Sequence, residues 1–199
     1  MHNCIFSAHC IEKMCDKSCP ILAETSYLLE RNGLSVKSKS FRTSPEGLSI
    51  AKGAEMITAS EGKLLSYISK DTVSASEFLT YCAICMNWQG SRLHCDVYNL
   101  RYSDFVNLTK QSWNGKLDTD ELDYMRIWIE NSKVLIISNI DYVSFGDFEC
   151  QTLLTLIQNR QAAGNSTIIV SPPTRQLVGK SSFFARLVKV IEDSRGGDR

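Results

Sequence analysis

The chain has 199 residues, of which 43% are hydrophobic and 22% are charged, enough core-forming material for one ordinary domain with a small appendage. This composition excludes disorder along the whole chain. Lys and Arg together number 22, as do Asp and Glu, which excludes both the strong basic excess that announces nucleic-acid binding and the acidic excess of a solvating tail.

The start of the chain lacks a basic region followed by an apolar stretch and a cleavage site. No later run approaches the roughly 20 uninterrupted apolar residues that span a bilayer. The sequence therefore predicts a soluble, cytoplasmic protein with no membrane partner.

A cysteine-rich head occupies the first 19 residues, with the spacing C-x5-C-x4-C-x3-C. Reduced thiolates in so short a segment are better suited to hold a metal than to pair as disulfides, and zinc takes four such donors in a tetrahedron. We therefore predict a zinc site formed by Cys4, Cys10, Cys15 and Cys19, with His9 as the substitute for Cys10. The alternative is a set of reduced, exposed thiols.

A short helix and a polar connector follow the cysteines. Pro20 suits the first turn of a helix, and Gly33 lies where a left-handed C-terminal cap is wanted. The next segment is rich in Ser and Lys, the composition of a solvated connector. The predicted division is a zinc head and helix at 1–33, a connector at 34–61 and an α/β domain at 62–199.

The body alternates short apolar runs with helix-patterned segments, which predicts a parallel sheet covered on both faces by helices. Ser74 and Glu77 have capping-box spacing in the first body helix, 74–88, and the fourth helix is expected to end at Gly164. The second and third helices are expected from about 103 and over about 120–131. The sheet is predicted to have about five strands, at 63–68, 93–100, 133–138, 166–171 and 187–192.

Two segments of the body resemble the AAA+ ATPase domain of the DnaC/DnaI/IstB helicase-loader group. They are VLIISNIDYVSFGDFECQTLLTLIQNRQAAGNSTIIVS at 134–171 and SSFFARLVKVIEDSR at 181–195. The resemblance implies an AAA+, P-loop NTPase-like fold and a place in DNA replication, in a phage or mobile element.

The resemblance also implies a phosphate loop of the form G-x-x-x-x-G-K-[ST] after the first strand, where backbone N–H groups and a lysine hold phosphate. Here that place reads YISKDTVSASEF, which keeps Lys70 and Thr72 but has no glycine. Asp71 puts a negative charge where phosphates belong. We therefore expect the loop to be degenerate, and ATP and Mg²⁺ to be absent.

Other positions of the implied nucleotide site have changed as well. The family has two carboxylates at the end of its second-motif strand, which hold the metal and polarise water. The equivalent residues here are Ser138 and Asn139, with Asp141 two residues later, and the sensor strand ends in Ser171 followed by two prolines. No catalytic residue is predicted.

Two arginines match arginine positions of the family, Arg186 and Arg195. The resemblance implies that such an arginine acts in trans, as an arginine finger on the nucleotide of a neighbouring subunit. The alternative is a surface or salt-bridging arginine.

The sequence predicts a catalytically impaired AAA+ protein, a pseudo-ATPase similar to a helicase loader, that contacts a replicative helicase or an active ATPase partner. Oligomer formation is compatible with this prediction. A first alternative is a divergent ATPase that uses Lys70, Thr72 and Asp141, and a second is a zinc-dependent nucleic-acid-binding adaptor. Single-stranded DNA would then be contacted through Arg92, Arg101 and Lys110.

Overall fold

A computed structural model describes residues 20–34, 40–86, 96–114, 120–142, 145–177 and 182–194. Its strands form one sheet in the order β1-β4-β3-β2, and all adjacent strands are parallel. In chain order the elements are α1 (Pro20–Arg31), α2 (Ile50–Ala59), β1 (Leu64–Ile68), α3 (Thr72–Met86), β2 (Val97–Arg101), α4 (Tyr102–Trp113), α5 (Asp120–Asn131), β3 (Val134–Ser138), α6 (Asp147–Ala162), β4 (Ser166–Ser171) and α7 (Phe184–Asp193).

Helices cover both faces of the sheet, as predicted from its apolar strands. On one face, the α3 face, α1, α2 and α3 pack against Ile136 and Ile168. On the other, the α6 face, α4 to α7 pack against Leu135 and Ile169. The centres of β3 and β4 are runs of consecutive apolar residues because each successive side chain enters one of two cores. None of the described helices is long and apolar enough to cross a membrane.

The sheet has four strands in the part of the chain that the structure describes, so the prediction of about five was wrong. The expected last strand, 187–192, lies within helix α7. Leu187 and Ile191 are buried one helical turn apart, whereas Lys189, which a strand would place on the same face between them, is exposed. After α7, the carbonyl of Ser194 accepts a hydrogen bond from the Ser66 N–H of the edge strand β1 at 3.0 Å.

The segment predicted as a solvated connector, 34–61, contains ordered structure that belongs to the α3 face. Phe41 is buried in a short 3-10 turn, with its ring 5.3 Å from that of Tyr81. Helix α2 buries Ile57 and packs closely on α3 at Gly53, where an added Cβ would lie 2.5 Å from Cys82 Sγ. The polar residues around these few apolar ones concealed the packing.

Several predicted boundaries are confirmed. The ends of α1 and α6 are followed by Gly33 and Gly164, each with a left-handed backbone (φ +70° and +68°). Helix α4 begins at Tyr102, one residue before the predicted start, and α5 spans the predicted 120–131. The strands β1, β3 and β4 lie within their predicted ranges, and β2 begins later than expected, at Val97.

The side chain of Asn32, just after α1, occupies the outer edge of β2. Its amide donates to the carbonyl of Val97 at 3.2 Å and accepts from the N–H of Asn99 at 2.6 Å. These are the two backbone groups that a further strand would use. Arg31 also bonds the Val97 carbonyl and forms an ion pair with Asp96. The end of α1 is thereby fixed to the edge of the sheet.

The carboxylate of Glu149 joins the start of α6 to α4. It accepts the Gly146 N–H at 3.0 Å and pairs with the Lys110 ammonium. Burial alone would raise the pKa of Glu149, but Lys110 and the neighbouring backbone N–H groups outweigh it, so the pKa lies below its ordinary value.

We expect the stability of the protein to fall in acid partly through Glu149. Because the pKa of Glu149 is lower in the folded chain than in the unfolded chain, where it is about 4.3, its ionised form stabilises the fold. This contribution is complete above about pH 4.3 and is lost as the pH falls through the folded-state pKa. Between about pH 5 and 3, the unfolding free energy of Glu149→Gln should therefore fall by about 1 kcal/mol less than that of wild type. The difference is no larger because the pair of Glu149 with Lys110 is partly screened by solvent. Urea unfolding across that pH range measures the effect, and Glu61→Gln, at an exposed position, is the control that should behave as wild type. An equal dependence of unfolding free energy on pH for Glu149→Gln and wild type would contradict the prediction.

Candidate functional site

The carboxyl ends of the parallel strands lie at the same edge of the sheet, where ligands bind in open α/β folds. The predicted nucleotide-site positions lie at this edge, in the last residues of the strands, in the connections that follow them and in the first residue of α3. These are Lys70, Thr72, Ser138, Asn139, Asp141 and Ser171.

The connection between β1 and α3 consists of residues 69–71 alone. Asp71 caps the helix: its carboxylate accepts the Ser74 N–H at 3.0 Å, and its carbonyl accepts the Ala75 N–H at 3.1 Å. Helix α3 therefore begins at Thr72, and the predicted start at Ser74, with Glu77 as the partner in a capping box, was wrong. The carboxylate cap satisfies a helix N–H and its charge favours the positive end of the helix dipole.

A second carboxylate, Glu46, reaches this connection from the segment before α2. It accepts hydrogen bonds from the buried Ser69 hydroxyl and from the Tyr67 hydroxyl, the latter at 3.1 Å. Burial and the charge of Glu46 raise the pKa of Tyr67 to about 12. Sequence reasoning missed Glu46 because it lies in the segment taken as a connector, and its contact with β1 is visible only in three dimensions.

Thr72 and Asp141 are brought together by the fold. The buried Thr72 hydroxyl donates to Asp141 Oδ1 at 3.5 Å, across the gap between the start of α3 and the residues after β3. Asp141 itself is exposed, and so is Lys70 in the connection between β1 and α3. Three residues of the divergent-ATPase alternative thus lie at one edge of the sheet.

Ser138 and Ser171 end β3 and β4, and both are fully buried. Their hydroxyls lack hydrogen-bond partners among the described residues, as does Oδ1 of Asn139, whose φ is +57°. Ile137 lies opposite Ile169, and both pack on the α6 face. Because side chains alternate along a strand, Ser138 faces the α3 side and Ser171 the α6 side. These two hydroxyls therefore do not converge on one ligand.

The remaining predicted site residues fall into two groups. Arg186 is exposed on α7. The second arginine, Arg195, lies outside the described residues. So do the predicted zinc ligands, which are Cys4, His9, Cys10, Cys15 and Cys19. Within the described residues, no three His, Cys, Asp or Glu side chains are grouped closely enough to hold a metal ion. The zinc site stays a prediction.

The two described cations that were proposed to contact single-stranded DNA, Arg101 and Lys110, are not brought together. Arg101 pairs with Glu77 at 3.2 Å on the α3 side, whereas Lys110 pairs with Glu149 on α4 and α6. Arg92 lies outside the described residues. Among those that are described, each cation already has a carboxylate partner.

No protein-family model matches the chain, and no curated protein matches it. Among solved structures, the chain is similar to AMPPCP-bound DnaA from Aquifex aeolicus, with 15% identity, a TM-score of 0.53 and coverage of 80% of this chain. The chain spans about half of the length of that DnaA chain, 49%. At 15% identity this similarity bears on the fold alone, and it supports the AAA+-like fold that the sequence resemblance implied.

Proposed function

We propose that this chain is an AAA+-type protein without ATPase activity that acts by contact with a partner protein in DNA replication, a replicative helicase or an active ATPase. The observation that carries the proposal is the connection between β1 and α3. It has room for residues 69–71 alone, whereas a phosphate loop needs a motif of about eight residues whose glycines let the backbone surround phosphate.

The charges at this connection support the same conclusion. The Asp71 carboxylate accepts the Ser74 N–H, a group of the kind that binds phosphate at a helix N-terminus. Glu46 adds a second carboxylate at Ser69, so an incoming phosphate would meet two negative charges. At the end of β3, Ser138 and Asn139 supply no carboxylate for Mg²⁺ or for water activation.

Calorimetric titration of ATP and ADP with Mg²⁺ tests this proposal directly. We expect no binding by wild type at concentrations up to about 1 mM. Asp71→Asn is the matched variant, because asparagine caps helices as well as aspartate but carries no charge; binding by this variant alone would show that the Asp71 charge excludes phosphate. Micromolar binding by wild type that is lost in Lys70→Ala would contradict the proposal.

The contact with a partner is tested separately, by measuring association with a purified replicative helicase in the presence and absence of ATP. A protein that acts through its surfaces should bind with equal affinity in both conditions. Absence of association would exclude the helicase as the partner, and association that requires ATP bound to this chain would contradict the proposal.

A divergent ATPase is the second candidate, favoured by the 3.5 Å contact between Thr72 and Asp141. A hydroxyl and a carboxylate at this edge are ligands that Mg²⁺ accepts. This candidate predicts that Asp141→Asn weakens Mg²⁺-dependent ATP binding while the exposed Asp193→Asn on α7 does not. Equal affinities for both variants and wild type would reject it.

A further inference from the structure

A tight turn at residues 44–47, here named the Glu46 turn, carries a carboxylate to the connection between β1 and α3. Its sequence, SPEG, has proline and glycine at the positions that a type I turn favours. The Gly47 N–H donates to the Ser44 carbonyl at 3.1 Å, and the Ser44 hydroxyl accepts the Glu46 N–H at 3.2 Å. Ser44 is buried and Glu46 is exposed. The turn therefore has a fixed base and a tip that faces solvent.

Two hydroxyl groups at the end of β1 receive the carboxylate of this turn. The Tyr67 hydroxyl donates to Glu46 Oε2 at 3.1 Å, and the buried Ser69 hydroxyl donates to Glu46 Oε1. Tyr67 stays a donor at neutral pH because its pKa is about 12. The Ser69 oxygen also accepts the Asp71 N–H at 3.1 Å, which holds it in place. Each oxygen of one carboxylate thus has its own donor.

The donors at this position suit a carboxylate better than a phosphate. Three backbone N–H groups at the start of α3 are already used: that of Asp71 by Ser69, and those of Ser74 and Ala75 by the carboxylate and the carbonyl of Asp71. A phosphate is held by such N–H groups or by a cation, and the charge of Asp71 opposes it. Two neutral hydroxyl groups match the two oxygens and the single charge of a carboxylate.

We propose that Tyr67 and Ser69 form a carboxylate-binding position that Glu46 occupies as a tethered internal ligand. The contact is autoinhibitory, because a carboxylate held in place by an ordered turn has a higher effective concentration than a free one. Withdrawal of the exposed tip opens the position to a carboxylate of another molecule. This inference rests on the proposed loss of nucleotide binding and names the class of ligand that the connection takes instead.

Chemical rescue by acetate tests the proposal with the full chain. Glu46→Ala removes the side-chain atoms beyond Cβ, and acetate has the same four heavy atoms as the part removed. We expect 100 mM sodium acetate to raise the melting temperature of this variant by about 3–5 °C relative to an equal concentration of sodium chloride. Such a shift corresponds to a dissociation constant of about 10 mM. Wild type, whose position is already filled, should not respond.

Two further variants locate the bound acetate. Glu61→Ala removes a carboxylate from another exposed turn and should not respond to acetate. Tyr67→Phe, combined with Glu46→Ala, removes one of the two donors and should raise the acetate concentration needed for the same shift at least about tenfold. Phenylalanine keeps the ring of Tyr67, whereas a change at Ser69 would also remove the acceptor of the Asp71 N–H.

Four results would overturn the proposal. Absence of a response in Glu46→Ala would show that the two hydroxyl groups do not bind an anion. Equal responses of Glu46→Ala, Glu61→Ala and wild type would be a general effect of acetate on stability. A response that Tyr67→Phe leaves unchanged would place the acetate elsewhere, and a larger shift with inorganic phosphate than with acetate would assign the position to phosphate.

These measurements are independent of the test of the proposed function. Nucleotide plays no part in the acetate titrations, so they can fail while the absence of ATP binding stands. Conversely, ATP binding by wild type in calorimetry would contradict the proposed function whatever acetate does to Glu46→Ala.

Discussion

Replacement of Arg160 by methionine is expected to lower the free energy of unfolding by about 3–5 kcal/mol. The Arg160 side chain is 3% exposed. Its Nη2 donates to the carbonyls of Ser132 and Ser166 at 3.0 and 2.7 Å, and its Nε donates to the Thr167 hydroxyl at 3.1 Å. Nη1 bonds the Ile129 carbonyl at the end of α5. Methionine fills a similar volume but leaves these buried acceptors without donors.

Urea unfolding measures this effect, and two variants make it specific. Arg160→Lys keeps the charge but cannot span the end of α5 and the start of β4 with one ammonium, so it should recover only part of the loss. Arg175→Met changes an exposed arginine and should shift the stability by no more than about 0.5 kcal/mol. A loss below about 1 kcal/mol for Arg160→Met would show that water or rearranged backbone replaces the guanidinium.

Replacement of Asn32 by leucine is expected to lower the free energy of unfolding by about 2–4 kcal/mol. The Asn32 side chain is 7% exposed and donates to the Leu28 carbonyl at 2.7 Å, in addition to its contacts with Val97 and Asn99. Leucine matches its size but leaves the Asn99 N–H and two carbonyls without this partner. The cost of unpaired buried groups exceeds the gain from one more apolar side chain.

The matched control is Asn131→Leu, the same change at the end of α5, where the exposed amide bonds the Ile127 carbonyl of its own helix at 2.8 Å. It should alter stability by no more than about 0.5 kcal/mol. If chemical denaturation shows the same decrease in unfolding free energy for Asn32→Leu and Asn131→Leu, the contact of Asn32 with the edge of β2 does not stabilise the fold, and the prediction is wrong.

Much of the fold could be predicted from the sequence because burial on two faces leaves a strong signal. The strand centres at 134–137 and 168–170 are uninterrupted apolar residues, and glycines mark the ends of α1 and α6. Helix α7 was mistaken for a strand because its apolar residues are dense enough to satisfy both periods. Helix α2 was missed because its contribution to the core is small, chiefly Ile57 and the close approach at Gly53.

The candidate site was predicted less completely. The sequence alone indicated that Lys70, Thr72 and Asp141 follow β1 and β3, and the structure places them at one edge of the sheet. It could not indicate that Asp71 serves as the helix cap, because a carboxylate near a helix start has the same sequence signature whether it caps or faces solvent. Nor could it indicate that Glu46 reaches Ser69, a contact across 23 positions of the chain.

The amide of Asn32 also affects how copies of the protein meet. An uncovered edge strand is a template on which the same strand of another molecule can pair, and this is how folded sheets begin to polymerise. At β2 the positions that such a strand would take, the Val97 carbonyl and the Asn99 N–H, are already used by a side chain of the same molecule. The Asn32 contact therefore stabilises the folded chain and also prevents another strand from pairing at the β2 edge of the sheet, the step by which fibrils grow.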